Sequence, residues 1–363
     1  MLERFKVPKA DVVRVPESSL RQTVTAIFEK MGVTAGDSAI GADVLVTADL
    51  RGVETHGVSN MLRAYVKLYG DGAMNPRPDW KIVRESPATA TIDADSGLAL
   101  ILGPKAMRIA IDKARSVGIG AVTMYNAGHS GPIGHHAMLA AEEDMIGVVM
   151  TAAAAKIVPT FGAEARYGTN PIAIAAPARN EAPFLFDAAT STIAGNKLRL
   201  AERLDATLLP HWIADRDGVP NAEETLVPAD YGEFSLLPLG GTREHGSHKG
   251  YGFAMMAEIM ATLLSGGLPS MLDSKSGSHH YFAAYSIDAF TDVDEFKDTM
   301  DRTLHKLRTT RPATGHDRVL YPGLSEQEDE QERRANGIPL HREVVGWFDD
   351  TTAELSLPTL QRM

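Results

Sequence analysis

The sequence predicts an α/β protein, and three observations along its 363 residues lead to that prediction. The first third has the apolar spacing of helices. From about residue 88 the pattern becomes strand, helix, strand, helix, strand, an order typical of an α/β unit. No G-x-G-x-x-G sequence stands between a strand and a helix, and Gly118-Ile119-Gly120 comes nearest. The sequence therefore does not predict a Rossmann nucleotide-binding domain.

The first third contains three predicted helices, which cover about 18–30, 34–51 and 61–69. Ser18 or Ser19 can cap the first helix. Thr34, with Asp37 three residues later, has the spacing of a capping box for the second. A connector rich in Pro and Gly covers 70–79 and separates these helices from the α/β unit.

The α/β unit and the remainder alternate strands and helices. The predicted strands are 88–94, 119–124 and 146–151, and the helices between them are 104–117 and 135–144. Further helices are predicted at 251–265, 293–308 and 342–355. The highly charged stretch 325–336 fits an exposed helix or loop.

Composition excludes several classes of protein. The formal net charge is -11, which argues against nucleic acid as the main partner. The chain has no cysteine, so disulfides, thiolate nucleophiles and Cys-ligated metal centres are excluded. The first residues lack the apolar segment of a secretory signal, and no apolar run approaches the roughly 18 residues of a membrane span. We expect a cytoplasmic protein without a membrane partner.

The first segment with candidate chemistry is RGVETHGV, at a junction between predicted helices. His56 stands between Thr55 and Gly57, and a histidine can take up or release a proton near neutral pH. The glycine allows a substrate to approach closely. A histidine that only caps the next helix fits the same pattern.

The second segment is NAGHSGP, which follows a predicted strand and precedes a helix. Backbone N–H groups at such a junction commonly meet an anion or a cofactor. His129 can hold a nicotinamide carboxamide or polarise a substrate carbonyl there, and a tight turn with a solvent-facing histidine is the alternative. His135 and His136 are candidate metal ligands, but adjacent histidines rarely bind one ion, so we expect no metal site here.

Two further segments combine polar residues with a strand end or a helix start. Asp187 follows the apolar FLF, where a carboxylate can orient a histidine, bind a ribose hydroxyl or simply cap a helix near Thr190. The stretch PLGGTREHGSHKGYG places five glycines and Lys249 before an apolar helix. That arrangement fits a phosphate or carboxylate site, or a loop that only allows close packing.

Together these segments resemble the malate/L-lactate dehydrogenase family that is distinct from the Rossmann-type lactate and malate dehydrogenases. The likeness runs from about Asp49 to Gly337. The order and spacing of the matching stretches carry it: ADLRGVETHGV, NAGHSGPIG, GTNPIAIAAP, FDAATS, LLPLGG…HKGYG and DRVLYPG.

The resemblance implies a non-Rossmann α/β fold with a mixed, largely antiparallel central sheet and a helical N-terminal region. Residues 1–90 would pack with 310–363, and 91–309 would hold cofactor and substrate. It further implies a homodimer, NAD or NADP as cofactor, and a small carboxylic acid as substrate. The sequence does not distinguish NAD from NADP.

The resemblance also assigns expected roles to residues. Thr55, His56, His129 and Asp187 are expected to be catalytic, and the two histidines can exchange roles. The expected cofactor contacts are His129, Ser130, Gly131, Asp187, Ala188, Ala189, Thr190, Lys249, Asp317, Arg318, Pro322 and Gly323. The expected substrate contacts are Asn60, Arg63, Thr169 and Asn170.

Three positions depart from the family pattern. Thr55 replaces the usual Ser and keeps its hydroxyl. Asn60 stands where the family often has Arg, a natural clamp for a carboxylate, and Arg63 lies one helical turn further on. Ala152 replaces a frequent Asn. These departures bear on which substrate is used rather than on the class of reaction.

The expected function is reversible hydride transfer between a nicotinamide and a 2-hydroxy or 2-oxo carboxylic acid. Reduction of a cyclic imine carboxylate is one alternative, because it uses the same hydride donor on a C=N bond. A catalytically silent member of the family that binds a nucleotide is the other, and the changes at Asn60 and Ala152 motivate it.

Overall fold

A computed structural model describes residues 3–274 and 277–363. The helices of these residues are α1 Glu17–Lys30, α2 Ala35–Leu50, α3 Arg63–Gly70, α4 Ala99–Val117, α5 Ile133–Ala141, α6 Asn196–Arg203, α7 Ser247–Glu258, α8 Val293–Arg308, α9 Leu324–Asn336 and α10 Arg342–Glu354. One π-helical turn, Val58–Leu62, leads into α3, and a second, Ile259–Leu263, extends α7. Short 3-10 turns cover Glu3–Phe5, Lys9–Asp11 and Ile287–Ala289.

The strands of the described residues form three sheets. They are β1 Val12–Val15, β2 Lys81–Glu85, β3 Thr89–Asp93, β4 Ile119–Ala127, β5 Met145–Ala152, β6 Ile172–Ala176, β7 Phe184–Ala188, β8 Ile213–Asp215, β9 Phe234–Leu236, β10 Ser278–Ser286 and β11 Ile338–His341. The central sheet has seven strands in the order β2-β3-β4-β10-β5-β6-β7. Within it β3 and β4 run parallel, and the other neighbours are antiparallel. The expected mixed, largely antiparallel sheet is confirmed.

Two glycines bring helices directly onto the central sheet. A Cβ on Gly120 in β4 would lie 1.9 Å from the Ala110 carbonyl oxygen of α4. A Cβ on Gly147 in β5 would lie 2.1 Å from the Ala137 carbonyl oxygen of α5. Glycine alone permits these approaches, so α4 and α5 pack with their backbones against the strands.

The predicted start of α1 was wrong and that of α2 was right. Pro16 precedes α1, and the side chain of Ser19 instead accepts a hydrogen bond from the Gln361 N–H at 3.0 Å. At α2 the Thr34 side chain accepts from the Asp37 N–H at 3.3 Å, as the spacing indicates. The Asp37 carboxylate pairs with Lys105 of α4 at 2.5 Å rather than completing the capping box.

Helix α4 begins five residues before the predicted start at Pro104. The proline lies inside the helix, where it removes one backbone hydrogen bond and crowds the preceding turn. The preceding turn is held in place because Leu100, Ile101 and Leu102 are almost fully buried. Burial of these side chains outweighs the cost of the proline.

Both ends of the described chain contribute to the first apolar core. Strand β1 pairs with β11, and the Met363 N–H donates to the Arg14 carbonyl at 2.9 Å. Helices α1, α2, α3 and α10 bury their apolar faces in this core, which also includes Leu98 and Ile101 from the start of α4. The division of the chain at residues 90 and 309 stays a prediction.

A second core lies between the central sheet and the helices α4 and α5, and a third surrounds α6 and the small β8–β9 sheet. None of the helices in the described ranges is both long and apolar enough to cross a bilayer. The cavity described below opens where these layers meet, beside α2, α5 and α6.

Candidate active site

A cavity of about 680 Å³ opens beside α2, α5 and α6. Such a volume is ordinary for a site that takes a small molecule or a cofactor. It brings together seven of the residues that the sequence singled out: Thr55, His56, His129, Gly131, Thr169, Asp187 and Ala189. These residues come from four different segments of the chain, so the fold joins loops that are far apart in sequence.

The two predicted histidines lie face to face in this cavity. The rings of His56 and His129 are stacked, with centroids 5.7 Å apart and planes inclined by 11°. His56 follows α2 in the loop before the first π-helical turn, and His129 follows β4. Both rings face the same space, so one small molecule can contact both.

The hydrogen bonds around His129 determine its tautomer. The Gly131 N–H donates to Nδ1 of His129 at 3.1 Å, and the hydroxyl of Tyr65 lies 2.7 Å from the same atom. Because a backbone N–H can only donate, Nδ1 must be an acceptor and the ring proton lies on Nε2. Burial and the nearby His56 lower the pKa of His129 to about 3, so the ring is a neutral donor at physiological pH.

His56 has a simpler environment. Its Nδ1 lies 2.9 Å from the hydroxyl oxygen of Thr55, which holds the ring in place. Burial lowers the pKa of His56 to about 4. Its ring is therefore neutral near pH 7 and is able to accept a proton.

A buried carboxyl group supports the loop that carries His56. The carboxylate of Asp49 accepts a hydrogen bond from the Val58 N–H at 2.6 Å. A Cβ on Gly57 would lie 2.3 Å from Asp49, so glycine is required where the loop passes over this group. Burial raises the pKa of Asp49 to about 8. Asp49 thus helps to determine the path of the chain from His56 to the π-helical turn.

Asp187 lies at the end of β7 and holds the start of α5. Its carboxylate accepts from the Gly134 N–H at 2.7 Å. Pro132, which precedes α5, makes no side-chain cap of its own. Asp187 therefore supplies a cap from another strand, with its charge at the favourable end of the helix dipole.

Several predicted contact residues lie behind the cavity wall. Ser130 is buried and its hydroxyl lies 3.3 Å from that of Thr151. The hydroxyl of Thr190 donates to the Thr169 carbonyl at 3.0 Å. Asn170 is completely buried and donates to Ala254 and Glu258, each at 3.0 Å. These residues shape the wall, and Ala188 ends β7 beside them.

The two candidates for carboxylate binding after His56 differ. Arg63 points to α10, where it pairs with Glu343 at 2.8 Å and lies over the Trp347 ring at 5.3 Å. It does not line the cavity. Asn60 is buried in the π-helical turn, and its amide has no hydrogen-bond partner within the described ranges.

The remaining predicted cofactor contacts lie outside the cavity. Lys249 is exposed in the first turn of α7. Asp317, Arg318 and Pro322 are exposed, and Arg318 pairs with Glu328 at 2.6 Å. Gly323 packs on the strand β7, where a Cβ would lie 2.9 Å from the Leu185 nitrogen. The described chain does not bring these residues to the histidines.

Three residues at the site were not predicted from the sequence: Tyr65, Lys156 and Arg199. Tyr65 fixes the His129 tautomer, but in the sequence it reads as one more apolar position of a helix. Lys156 and Arg199 line the cavity. Lys156 follows the strand β5, and a basic residue soon after a strand could have indicated a binding site. Arg199 lies within a helix, and no sequence pattern around it indicates a functional residue.

The adjacent histidines His135 and His136, considered above as metal ligands, point to different partners. His136 is buried and its Nε2 lies 2.9 Å from the Ser130 carbonyl oxygen. His135 points to Asp43, with 3.7 Å between its Nε2 and a carboxylate oxygen. Within the described ranges no group of three or more His, Asp or Glu side chains is arranged to hold a metal ion.

Comparison with known proteins agrees with this architecture. A family model described as malate/L-lactate dehydrogenase matches residues 15–348. A malate dehydrogenase of Pyrococcus abyssi is 36% identical over 96% of this chain and 97% of its own length. An L-sulfolactate dehydrogenase of Methanocaldococcus jannaschii is 34% identical over 94% of this chain and 97% of its own. The solved malate dehydrogenase of Entamoeba histolytica superposes with a TM-score of 0.91 at 31% identity, covering 96% of this chain and 99% of that one.

The fold, the paired histidines and these matches define an oxidoreductase of the non-Rossmann type. The chain belongs to the malate/L-lactate dehydrogenase family. It is an enzyme that acts on the CH–OH group of a 2-hydroxy acid, and its family implies a nicotinamide cofactor. The resemblance inferred from the ordered motifs is confirmed.

Proposed function

We propose that this enzyme interconverts a malate- or lactate-like 2-hydroxy acid and its 2-oxo acid, with His56 as acid/base and His129 as a fixed hydrogen-bond donor. The stacked arrangement of the two rings carries this proposal. The hydrogen bonds of His129 hold its ring proton on Nε2, so this ring can only donate to a ligand. His56 has no such restriction and can take up or release a proton. This difference supports the separate roles that we propose for the two histidines.

His129 donates from Nε2 to the substrate oxygen. Its Nδ1 is already occupied by the Gly131 N–H and the Tyr65 hydroxyl, so the ring has no free lone pair with which to act as a base. A neutral donor aimed at an oxygen stabilises the charge that develops there during hydride transfer. Burial raises the pKa of Tyr65 well above its ordinary value, so its hydroxyl keeps its proton.

His56 takes the hydroxyl proton during oxidation and returns it during reduction. In this role Nδ1 donates to the Thr55 hydroxyl and Nε2 faces the substrate. A neutral imidazole is required for oxidation, and the lowered pKa of His56 keeps it neutral. Asp49 holds the chain just after His56, which limits movement of the ring.

We place the nicotinamide in this cavity, beside the two histidines. Small residues form much of its wall: Gly131, Gly134, Ala153, Ala154, Ala189, Ala194 and Gly195. They leave room for a flat ring, and the Nε2–H of His129 offers a donor for a carboxamide or a substrate oxygen. The bound nicotinamide supplies or accepts the hydride, and the protein residues orient the acid and move the proton. Fluorescence titration with NADH and with NADPH will distinguish the two cofactors.

The decisive experiment replaces His56. We expect His56→Ala to lower kcat/KM for acid oxidation about 10²- to 10⁴-fold, because general acid–base catalysis is lost. Binding of the reduced cofactor, followed by fluorescence, should change less than about threefold, a change of under 1 kcal/mol. His316→Ala removes an exposed histidine outside the cavity and is the matched control.

Full activity of His56→Ala would contradict the proposal. Turnover of the wild-type enzyme with a cyclic imine carboxylate, but with none of a panel of 2-oxo acids, would favour the imine reductase instead. Cofactor binding without turnover on any substrate would indicate the silent member of the family.

We further propose that the enzyme is a homodimer and works in the cytoplasm. Helix α7 and the turn that extends it expose an apolar face formed by Phe253, Met256, Ile259, Leu263 and Leu264, each at least 43% exposed. Contiguous apolar surface of this kind marks a protein interface. A second copy of the chain is the partner we infer, and the absence of cysteine fits a reducing compartment.

A further inference from the structure

Two buried histidines outside the reacting pair have no role in the proposed reaction. His136 in α5 and His280 in β10 are both 0% exposed. Burial lowers the pKa of each to about 3, so both rings are neutral near pH 7. Burial of a polar ring costs free energy unless the ring makes hydrogen bonds. The partners of these two rings therefore indicate what the rings do.

His136 and His129 contact opposite sides of one peptide group. Nε2 of His136 lies 2.9 Å from the Ser130 carbonyl oxygen, and the Gly131 N–H donates to Nδ1 of His129 at 3.1 Å. These two backbone groups belong to the same peptide unit. Its C=O and N–H point in opposite directions, because a trans amide is planar. The peptide unit thus connects the buried histidine to the reacting one.

The tautomer of His136 follows from this contact. A carbonyl oxygen can only accept, so the neutral ring carries its proton on Nε2 and donates it to Ser130. Nδ1 of His136 is buried and has no hydrogen-bond partner among the described residues. A donor bound to a carbonyl polarises the peptide and strengthens its N–H as a donor. The proton of His136 therefore strengthens the hydrogen bond from Gly131 to His129.

The Gly131 N–H is the contact that excludes the other tautomer of His129. The Tyr65 hydroxyl lies 2.7 Å from the same Nδ1, but a hydroxyl can donate or accept and so fits a ring nitrogen with or without a proton. A backbone N–H can only donate. The position of this one peptide therefore decides which nitrogen of His129 carries the proton.

Other donors hold the rest of the loop. Nε2 of His280 lies 3.0 Å from the Gly128 carbonyl oxygen, so this ring also donates from Nε2, and its Nδ1 accepts from the Thr151 hydroxyl at 2.9 Å. The His129 carbonyl accepts from the Leu100 N–H at 2.9 Å. Three successive carbonyl groups are therefore held by donors from β10, α4 and α5.

Two glycines make the contact with His136 possible. A Cβ on Gly103 in α4 would lie 2.7 Å from Nε2 of His136, so a larger residue would displace the ring from the Ser130 carbonyl. Gly131 has a φ of +68°, a left-handed conformation that favours glycine, and in this conformation its N–H meets the ring of His129.

We propose that His136 is a positioning residue, which fixes the tautomer of His129 through the Ser130–Gly131 peptide. With this peptide in place, Nδ1 of His129 stays occupied and Nε2 keeps the proton that it donates to the substrate oxygen. Without the donor of His136 the peptide can rotate, Nδ1 loses the Gly131 N–H, and either nitrogen can carry the proton. This inference rests on the proposed function, because it concerns the donor role of His129.

Spectra of protein with 15N-labelled histidine test the tautomer directly, because the shifts of the two ring nitrogens show which one carries the proton. In the wild-type chain the signals of His129, identified by their loss in His129→Gln, should be those of the Nε2–H form. In His136→Leu, which removes the donor, both forms should be populated. In His136→Gln, whose side-chain amide is also a donor, the Nε2–H form should return.

Turnover gives a second measurement. His136→Leu should lower kcat about 10- to 100-fold, because a misplaced donor no longer meets the substrate oxygen. Binding of the reduced cofactor should change less than about threefold. His136→Gln should regain most of the activity. Phe348→Leu is the matched control, since it removes a fully buried ring from the first apolar core, outside the cavity, and should leave the His129 signals unchanged.

An Nδ1–H form of His129 or of His136 in the wild-type chain would overturn the inference. This measurement decides the matter even if His136→Leu does not fold. Unchanged His129 signals in a folded His136→Leu, or the same change in Phe348→Leu, would also overturn it. A wild-type enzyme that turns over no 2-hydroxy acid would instead contradict the proposed function, and the spectra would still test the role of His136.

Discussion

At the residue scale, the site works by desolvation. His56 and His129 line one cavity, and burial is the largest cause of the lowered pKa of each. Hydrogen bonds then give the two histidines different roles. Gly131 and Tyr65 are hydrogen-bonded to Nδ1 of His129, whereas His56 is hydrogen-bonded to Thr55. Two residues of one type thus acquire different chemistry from their surroundings.

The pH dependence follows from the pKa of His56, which burial lowers to about 4. Oxidation needs the neutral ring, which is present above that pH, so the titration of His56 should lower kcat/KM only below about pH 4. Reduction needs the protonated ring, so its kcat/KM should rise as the pH falls toward 4. Initial rates in both directions measure these profiles.

Circular dichroism at each pH serves as the control for acid unfolding. Burial raises the pKa of Asp187 in the same cavity to about 6. A limb of the oxidation profile centred between about pH 6 and 7 that persists in Asp187→Asn would be inconsistent with a desolvated His56 as the base, because an exposed histidine titrates there. Loss of the same limb in His56→Ala would assign the titration to this residue.

The sequence predicted the candidate catalytic residues, but it did not predict which helix residues lie beside them. His56, His129 and Asp187 stand in polar, glycine-rich loops, where such residues are conspicuous. Tyr65 and Arg199 lie within regular helices and have ordinary spacing. Only the packing of α3 and α6 onto the cavity shows their position, and that packing depends on contacts distant in sequence.

At the scale of elements, the close approach of helices to the sheet determines the shape of the site. Helix α5 begins beside His129, and Gly147 allows it to lie against β5. Asp187 holds the same helix at its first turn. The position of the cavity wall therefore depends on one glycine and one carboxylate outside the reacting pair.

We expect Gly147→Ala to lower the free energy of unfolding by about 2–3 kcal/mol, because the new methyl group overlaps the backbone of α5. Guanidinium denaturation measures this difference. Gly36→Ala is the control, since nothing lies within 4 Å of the added methyl group in the first turn of α2. That change should be neutral or stabilise by up to about 1 kcal/mol. Equal stability of the two variants would show that α5 shifts freely on the sheet.

Helices were more predictable from sequence than their exact ends. The spacing of apolar residues located α2, α8 and α10 to within one or two residues. The start of α4 was predicted at Pro104 because proline favours the first turn of a helix. The helix begins earlier, at Ala99, because burial of the preceding turn outweighs that local preference. The strand β2 is exposed along its whole length and has no apolar face to reveal it.

At the scale of the whole molecule, the described residues leave an apolar face exposed on α7 and the turn that extends it. The face on α7 lies on the helix that Asn170 ties to the cavity wall, through its bond to the Ala254 carbonyl. A second copy packed there would stabilise the wall as well as bury apolar surface. Formation of the proposed dimer would then also stabilise the candidate active site.

Sedimentation equilibrium should give a mass twice the 39.1 kDa of the chain. Leu264→Glu, at a position 58% exposed, should shift the protein toward the single chain, because a charge is costly in an apolar interface. Phe290→Glu, at a position 67% exposed away from α7, is the control and should leave the mass unchanged. A wild-type protein with the mass of one chain at micromolar concentration would contradict the proposed dimer.

The order of strands in the central sheet has a consequence for synthesis on the ribosome. Strands β4 and β5 are separated by β10, which follows them by more than a hundred residues and pairs with both. Until residue 286 has been made, each of these strands has an edge without its final neighbour. Unpaired edges are sites of mispairing and aggregation, and contacts so distant in sequence form slowly. The nascent chain therefore carries an open sheet until β10 has been made, and the middle of the sheet closes late.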